Sequence, residues 1–229
     1  MNWKPVPASE RNGITALGKV RIDIKTIALI GGTGRVGRHI AATAVQKGYG
    51  VRLLRRSPGA EAAGGMEVIG GDVRDRKSLR MLLAGCHAVI NAYGQSPKGE
   101  QLYSEVTREI LALMKEGGIP RYIGVTGGSL VLPHDRRGLF NRTAAGVFRM
   151  MYPEMIAVKE KEYGVIAGSE AKWTLVRLPF VSEGAAAGKI KVSHTSMPGY
   201  RITNGAIASF LVDQVTDPSY VGMTPFIAN

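Results

Sequence analysis

Glycines at 31, 34 and 37, in the string Gly31-Gly32-Thr33-Gly34-Arg35-Val36-Gly37, directly follow the apolar run Ile27-Ala28-Leu29-Ile30. That spacing permits a tight turn, a close approach of backbone to a ligand, and close packing of a following helix on the preceding strand. The N–H groups left unpaired at such a helix start form an anion site suited to a pyrophosphate. Thr33, Arg35 and Val36 share this turn and are expected to line the site. Arg35 and Arg38 occupy the first helical turn, where a cation opposes the helix dipole. That placement makes sense beside an anion; the plain alternative is two solvated arginines.

The next apolar run, Val51-Arg52-Leu53-Leu54, ends in Arg55-Arg56-Ser57-Pro58-Gly59. An NAD site usually carries an Asp or Glu here to accept from the adenosine ribose hydroxyls. This stretch has none. Its two guanidinium groups and a hydroxyl suit a ribose 2′-phosphate instead, so NADP(H) is expected over NAD(H). Two more strands end in suggestive turns. Met66-Glu67-Val68-Ile69-Gly70-Gly71 runs into Asp72 and Val73, and Asp72 is placed to accept from the adenine amino group. His87-Ala88-Val89-Ile90-Asn91 runs into Ala92, Tyr93 and Gly94, small enough at its ends for a cofactor to lie against the backbone.

These turns must be positioned by regular elements. The pattern predicts strands at 27–31, 51–55, 66–70, 87–92, 121–125 and 173–178, with helices at 35–48, 75–85, 99–116 and 153–168 between them. Val36, Ile40, Ala44 and Val45 share one face of the first helix, and Gly48 stands where a C-terminal cap belongs. Residues 127–150 read as a long loop. A strand near 189–193, a helix over 204–216 and a last strand near 221–227 complete the chain. Strands alternating with helices imply an α/β fold, a doubly wound parallel sheet with helices on both faces. Residues 26–229 form one domain, with a small C-terminal substrate-side region. Residues 1–25 form an extension in which Val20–Ile24 alternates like an edge strand.

The 229 residues carry a formal charge of +12 with 45% hydrophobic content. A basic balance attracts polyanions, yet the basic residues are scattered, with no run of five or six and no interleaved aromatic set. Specific nucleic-acid binding is not expected. No apolar run reaches membrane-spanning length and the N-terminus lacks an apolar signal core. One cysteine, Cys86, excludes an internal disulfide and fits a reducing, cytoplasmic setting. Cys86 reads as a packed small hydrophobe. His134 and His194 are isolated and lack metal-ligand spacing, so no metal site is expected.

Five features occur together and in order: strand–GGTGRVG–helix, Gly71-Asp72-Val73, Asn91-Ala92-Tyr93-Gly94, Val125-Thr126-Gly127-Gly128-Ser129, and Lys159…Glu162…Ser169…Trp173-Thr174-Leu175-Val176-Arg177-Leu178-Pro179. In this the chain resembles the atypical short-chain dehydrogenase/reductases, over about residues 26–228. It looks most like the NAD(P)H-binding branch with the flavin and B-type biliverdin reductases; NmrA-like regulators share the same opening more distantly. The resemblance implies a Rossmann sheet and an NAD(P)H-dependent reductase. It places Ser129 and Lys159 as catalytic positions, with Lys159 also at the nicotinamide ribose and Thr126 and Pro179 lining the nicotinamide pocket. One departure matters. The Tyr-x-x-x-Lys pair uses its lysine to lower the tyrosine pKa, but Met155 stands four residues before Lys159, and neither Tyr152 nor Tyr163 has the spacing.

Carbonyl–alcohol chemistry is therefore disfavoured, and hydride delivery to a flavin, quinone or similar planar acceptor is expected, its proton drawn from solvent or a weak donor. Acceptor contacts should come from 127–150 and the segment after Pro179, where Phe140, Phe148, Met150, Met151 and Phe180 can cover a ring. The alternative is an NmrA-like protein that binds dinucleotide as a redox signal without turnover. A monomer or weak homodimer is expected.

Overall fold

Parallel strands covered on both faces need apolar side chains in both alternating positions, and this requirement sorts the core. The computed structural model describes residues 25–56, 64–94, 102–136, 143, 146–147 and 149–229. Ala28 and Ile30 of strand β1 (Thr26–Ile30) point to one face, Ile27 and Leu29 to the other, and all four are fully buried. Val89 and Ile90 of β4 (Ala88–Asn91) and Leu175 and Val176 of β6 (Lys172–Leu178) divide in the same way.

With β2 (Gly50–Arg55), β3 (Met66–Gly70), β5 (Arg121–Gly127), β8 (Lys191–Ser193) and β10 (Phe226–Ala228), these strands make one eight-stranded sheet in the order β3-β2-β1-β4-β5-β6-β10-β8. All pairings are parallel except the edge, where β8 runs antiparallel to β10. The reversal of strand order at β1/β4 is the switch point where doubly wound sheets bind ligands. Helices α1 (Arg35–Gln46) and α5 (Asn204–Asp213) cover one face. Helices α2 (Arg76–Leu83), α3 (Tyr103–Glu116) and α4 (Pro153–Ala167) cover the other.

Local chemistry sets several boundaries. Asp75 caps α2 by accepting from the Lys77 and Ser78 amides at 3.2 and 3.0 Å, so the helix expected from 75 starts one residue later. Gly48 follows α1 at φ +82°, as expected of a C-terminal cap. The last strand is shorter and later than the 221–227 read from sequence. Pro218 and Gly222 (φ +74°) shape turns, and Met223 makes an isolated parallel bridge to Thr174 before the continuous strand begins at Phe226. The α5 helix ends at Asp213, not 216. Residues 146–147 and 149–151 are helical where a loop was expected. A small parallel pair, β7 (Phe180–Ser182) with β9 (Arg201–Thr203), was not foreseen. The expected strand at 20–24, the Ser57-Pro58-Gly59 turn, Phe140 and Phe148 lie outside the described residues. No described helix is long and apolar enough to cross a membrane.

Cys86 is buried against the Leu82 carbonyl, and burial pushes its thiol up to about 11. It is packing, as its sequence position implied. A buried ion pair locks the far side of the sheet. Arg177 on β6 donates to both Asp135 oxygens at 2.7 and 2.8 Å and to the Thr224 carbonyl at 2.9 Å, with its guanidinium 3.5 Å over the Phe226 ring. Both side chains are essentially inaccessible. Asp135 also accepts from the Leu132 amide at 3.0 Å, so the pair fastens the turn after β5 to β6 and β10. Removing one partner strands a buried charge, so Asp135→Ala is expected to cost about 3–5 kcal/mol in urea denaturation.

Candidate functional site

A cleft of about 650 Å³ opens at the carboxyl ends of β1, β2, β3 and β4. Its floor is backbone. Gly31 has φ +78°, and a Cβ there would sit 2.5 Å from the Ala92 carbonyl oxygen. A Cβ on Gly37 would lie 2.0 Å from the Gly31 oxygen and 2.7 Å from the Gly32 Cα. These two glycines therefore let β1, α1 and the end of β4 touch. Gly34 is the N-cap residue of α1, in extended conformation, with no side chain to cap the helix and no acid in the first turn. The first internal bond runs from the Arg38 amide to the Gly34 carbonyl at 3.1 Å. The amides of Arg35, Val36 and Gly37 have no partner among the described residues and line the cleft with Gly34 and Thr33. Amide donors, a helix N-terminus and a glycine floor together fit a diphosphate.

The rim over β2 and β3 is cationic. Arg56 and Arg74 line it on either side of Asp72. The Arg74 amide and Nε both donate to Asp72 Oδ1 at 2.9 Å, and Nη2 donates to Oδ2 at 3.3 Å. The Arg74 guanidinium and amide, with a smaller contribution from Arg56, hold the Asp72 carboxyl below its usual range. Both carboxylate oxygens thus have a guanidinium partner, and Asp72 lines the cleft where sequence placed it. Strand alternation explains which arginine reaches the cleft. Leu54 and Arg56 line it, whereas Arg55 falls on the α1 side of β2 with Val51 and Leu53. Val73, Ala92, Tyr93 and Gly94 form the opposite wall. Sequence reading missed Arg74, Leu54, Gly71 and Leu102, which also line the cleft; Arg74, two residues beyond Asp72, was the one with a legible signal.

Lys159, Thr126, Ser129 and Pro179 lie beyond this cleft, at the ends of β5 and β6. Lys159 is buried on α4, with Nζ 3.5 Å from Thr126 Oγ1 and 4.2 Å from the centroid of the Tyr103 ring. Tyr103, at the start of α3, packs in turn on Tyr93 of the cleft wall, ring centroids 6.1 Å apart. Tyr103 is a residue that sequence reading passed over: it ties Lys159 to the cleft. Ser129 is half-buried in the turn after β5, and Pro179 follows β6 beside it, where the Gly128 amide donates to the Leu178 carbonyl at 2.8 Å. Met155 is buried four residues before Lys159. Tyr163 packs edge-on against Trp173, its ring 6.2 Å from the indole. Among the described residues no group of three His, Cys, Asp or Glu side chains is arranged to hold a metal.

A family model described as NAD(P)H-binding matches residues 31–218. The chain belongs to the NAD(P)H-binding family. Solved structures with the same fold include a Rossmann-fold NAD(P)-binding family protein from Shigella flexneri, 17% identical over 90% of this chain and 94% of that one, with a TM-score of 0.70. A short-chain dehydrogenase/reductase from Veillonella parvula, in complex with NADP, is 14% identical over 90% and 94% of the two chains, with a TM-score of 0.73. The anaerobilin reductase ChuY from Escherichia coli O157:H7 is 16% identical over 89% and 97%, with a TM-score of 0.73. These solved structures share the fold of this chain.

The glycine geometry separates binding from folding. A Cβ on Gly34 meets only the Gly31 oxygen, at 3.2 Å, whereas one on Gly37 collides with backbone. Gly34→Ala is expected to keep the melting temperature nearly unchanged while weakening dinucleotide binding in calorimetry. Gly37→Ala should lower both.

Proposed function

We propose that this protein is an NADPH-preferring reductase of a flavin, quinone or similar planar acceptor. The observation that carries the reading is the α1 start, open to the cleft and free of acids, with a rim bearing Arg56 and Arg74. In this reading the amides of Arg35, Val36 and Gly37 bind the diphosphate, and Arg35 and Arg38 then face an anion in place of a bare positive dipole end. Arg56 and Arg74 hold the ribose 2′-phosphate. A charge-assisted hydrogen bond contributes about 1.5–3 kcal/mol, which converts to roughly tenfold to a hundredfold in affinity. When bound, the dinucleotide supplies the hydride.

The nicotinamide end is assigned to Thr126, Lys159 and Tyr93, with Ser129 and Pro179 on the acceptor side. Lys159 holds a positive charge where the reduced acceptor becomes anionic. With Met155 in the tyrosine position no phenol delivers a proton at that place, and the balancing proton comes from solvent. Phe180 is 82% exposed and Met150 81%, too open to be core, and they support an apolar cover for a planar ring.

Purified protein is expected to oxidise NADPH when FMN, FAD or a quinone is supplied, faster than NADH. Tight binding with no acceptor-dependent oxidation would overturn the reductase reading in favour of a dinucleotide-sensing regulator. Arg56→Ala should weaken NADPH about tenfold or more and leave NADH nearly unaffected, with Arg55→Ala the milder change. Equal loss for both dinucleotides in fluorescence titration would remove the 2′-phosphate assignment.

A further inference from the structure

Behind the nicotinamide end lies a buried polar cluster that the reading above does not use. Glu162, one turn beyond Lys159 on α4, is 4% exposed, and its Oε1 accepts from Thr107 Oγ1 of α3 at 2.8 Å. Thr107 is itself fully buried, and its one hydroxyl proton goes to Glu162. The Tyr122 oxygen accepts from Asn91 Nδ2 at 3.0 Å, and Asn91 Oδ1 accepts from the Tyr93 amide at 3.0 Å. Two buried hydrogen-bonded groups therefore stand behind the cleft wall, Tyr93–Asn91–Tyr122 across β4 and β5, and Thr107–Glu162 between α3 and α4.

Glu162 lies one turn from the buried Lys159 ammonium on the same helix. We propose that Glu162 is a positioning residue that keeps Lys159 cationic and turned toward Thr126, with the Thr107 hydroxyl fixing the carboxylate that does so. The groups facing the pair are Tyr103 and Thr107 from α3, Thr126 and Tyr122 from β5, and Asn91 from β4; β6 presents Trp173 to Tyr163 one turn along. Among these Glu162 is the acid, and its charge is the one that acts on Lys159. Burial pushes the lysine below its ordinary value and Glu162 opposes that; burial pushes Glu162 up and Lys159 opposes that. Each charge sustains the other in a site that water does not screen. Thr107 then decides the geometry. It holds the carboxylate from α3, leaving the ammonium free of a close ion pair and directed at Thr126 and the Tyr103 face.

The catalytic half of this inference rests on the proposed role of Lys159 at the nicotinamide, so the test has one arm that does not. In the free protein labelled with 13C-lysine, the Lys159 resonance, assigned by its loss in Lys159→Met, is titrated by NMR in wild type and in Glu162→Gln. Removing the carboxylate charge should move the Lys159 titration to lower pH by about one unit or more. Glu162→Asp should restore part of the shift, which a merely structural loss would not do. An unchanged titration would overturn the proposal. Should Glu162→Gln not fold, Thr107→Val is titrated in its place: it keeps the charge and frees the carboxylate, so the Lys159 titration should move from the wild-type value, and an unmoved one would overturn the proposal. In the second arm, the alkaline limb of NADPH oxidation with a flavin acceptor should move down in parallel, with kcat falling and the KM for NADPH nearly constant. A moved titration with an unmoved rate profile would keep the Glu162–Lys159 coupling and remove Lys159 from the reaction.

Discussion

Everything at the cleft depends on one close approach, where the backbones of β1, α1 and the end of β4 meet with no side chain between them. Gly31 and Gly37 make that contact possible, and the Ala92 amide closes it by donating to the Ile30 carbonyl at 3.0 Å. A helix started this tightly cannot carry a bulky cap, and Gly34 provides none. Its first amides are therefore left to whatever enters the cleft. Unpaired donors at a dipole's positive end are costly in isolation, so the same feature that packs the sheet also leaves donors suited to an anion.

From that point the molecule divides into two electrostatic regimes. The rim at β2 and β3 is open, and its arginines meet Asp72 in water, where pairing is weak and a phosphate can compete. The region behind β5 and β6 is dry. There Arg177 is matched by Asp135, Arg121 by the Gln214 and Lys172 carbonyls and the Thr174 hydroxyl, and Lys159 by Glu162 at longer range. Arg121 is pushed down to about 10 by burial, which shows how strongly this interior resists charge. The Arg177–Asp135 pair holds the turn that follows Ser129, so the end of β5 inherits its shape from a charge pair solvent cannot reach.

Two residues show why part of the site escaped sequence reading. Arg74 stands in plain view next to Asp72, yet only the fold of that turn sets its guanidinium on the carboxylate. Tyr103 belongs to no motif, and its contact with Lys159 needs the two helices side by side. The Met155 substitution was visible at once, because a motif spacing is a local property. Its consequence was not: the surroundings of Lys159 come from α3 and β5.

The amino-acid order by itself determined the features that arise within a few residues: the glycine turn, the alternation of buried strands with amphipathic helices, and the basic end of β2. Periodicity and turn chemistry are short-range, so they can be read along the chain. Only the tertiary structure decided the antiparallel edge strand, the β7–β9 pair and the buried Asn91–Tyr122 and Thr107–Glu162 hydrogen bonds. These join residues 31 and 55 positions apart, and the Arg177–Asp135 lock spans 42. A buried polar group takes the partner that packing brings to it, and that partner is chosen by the sheet.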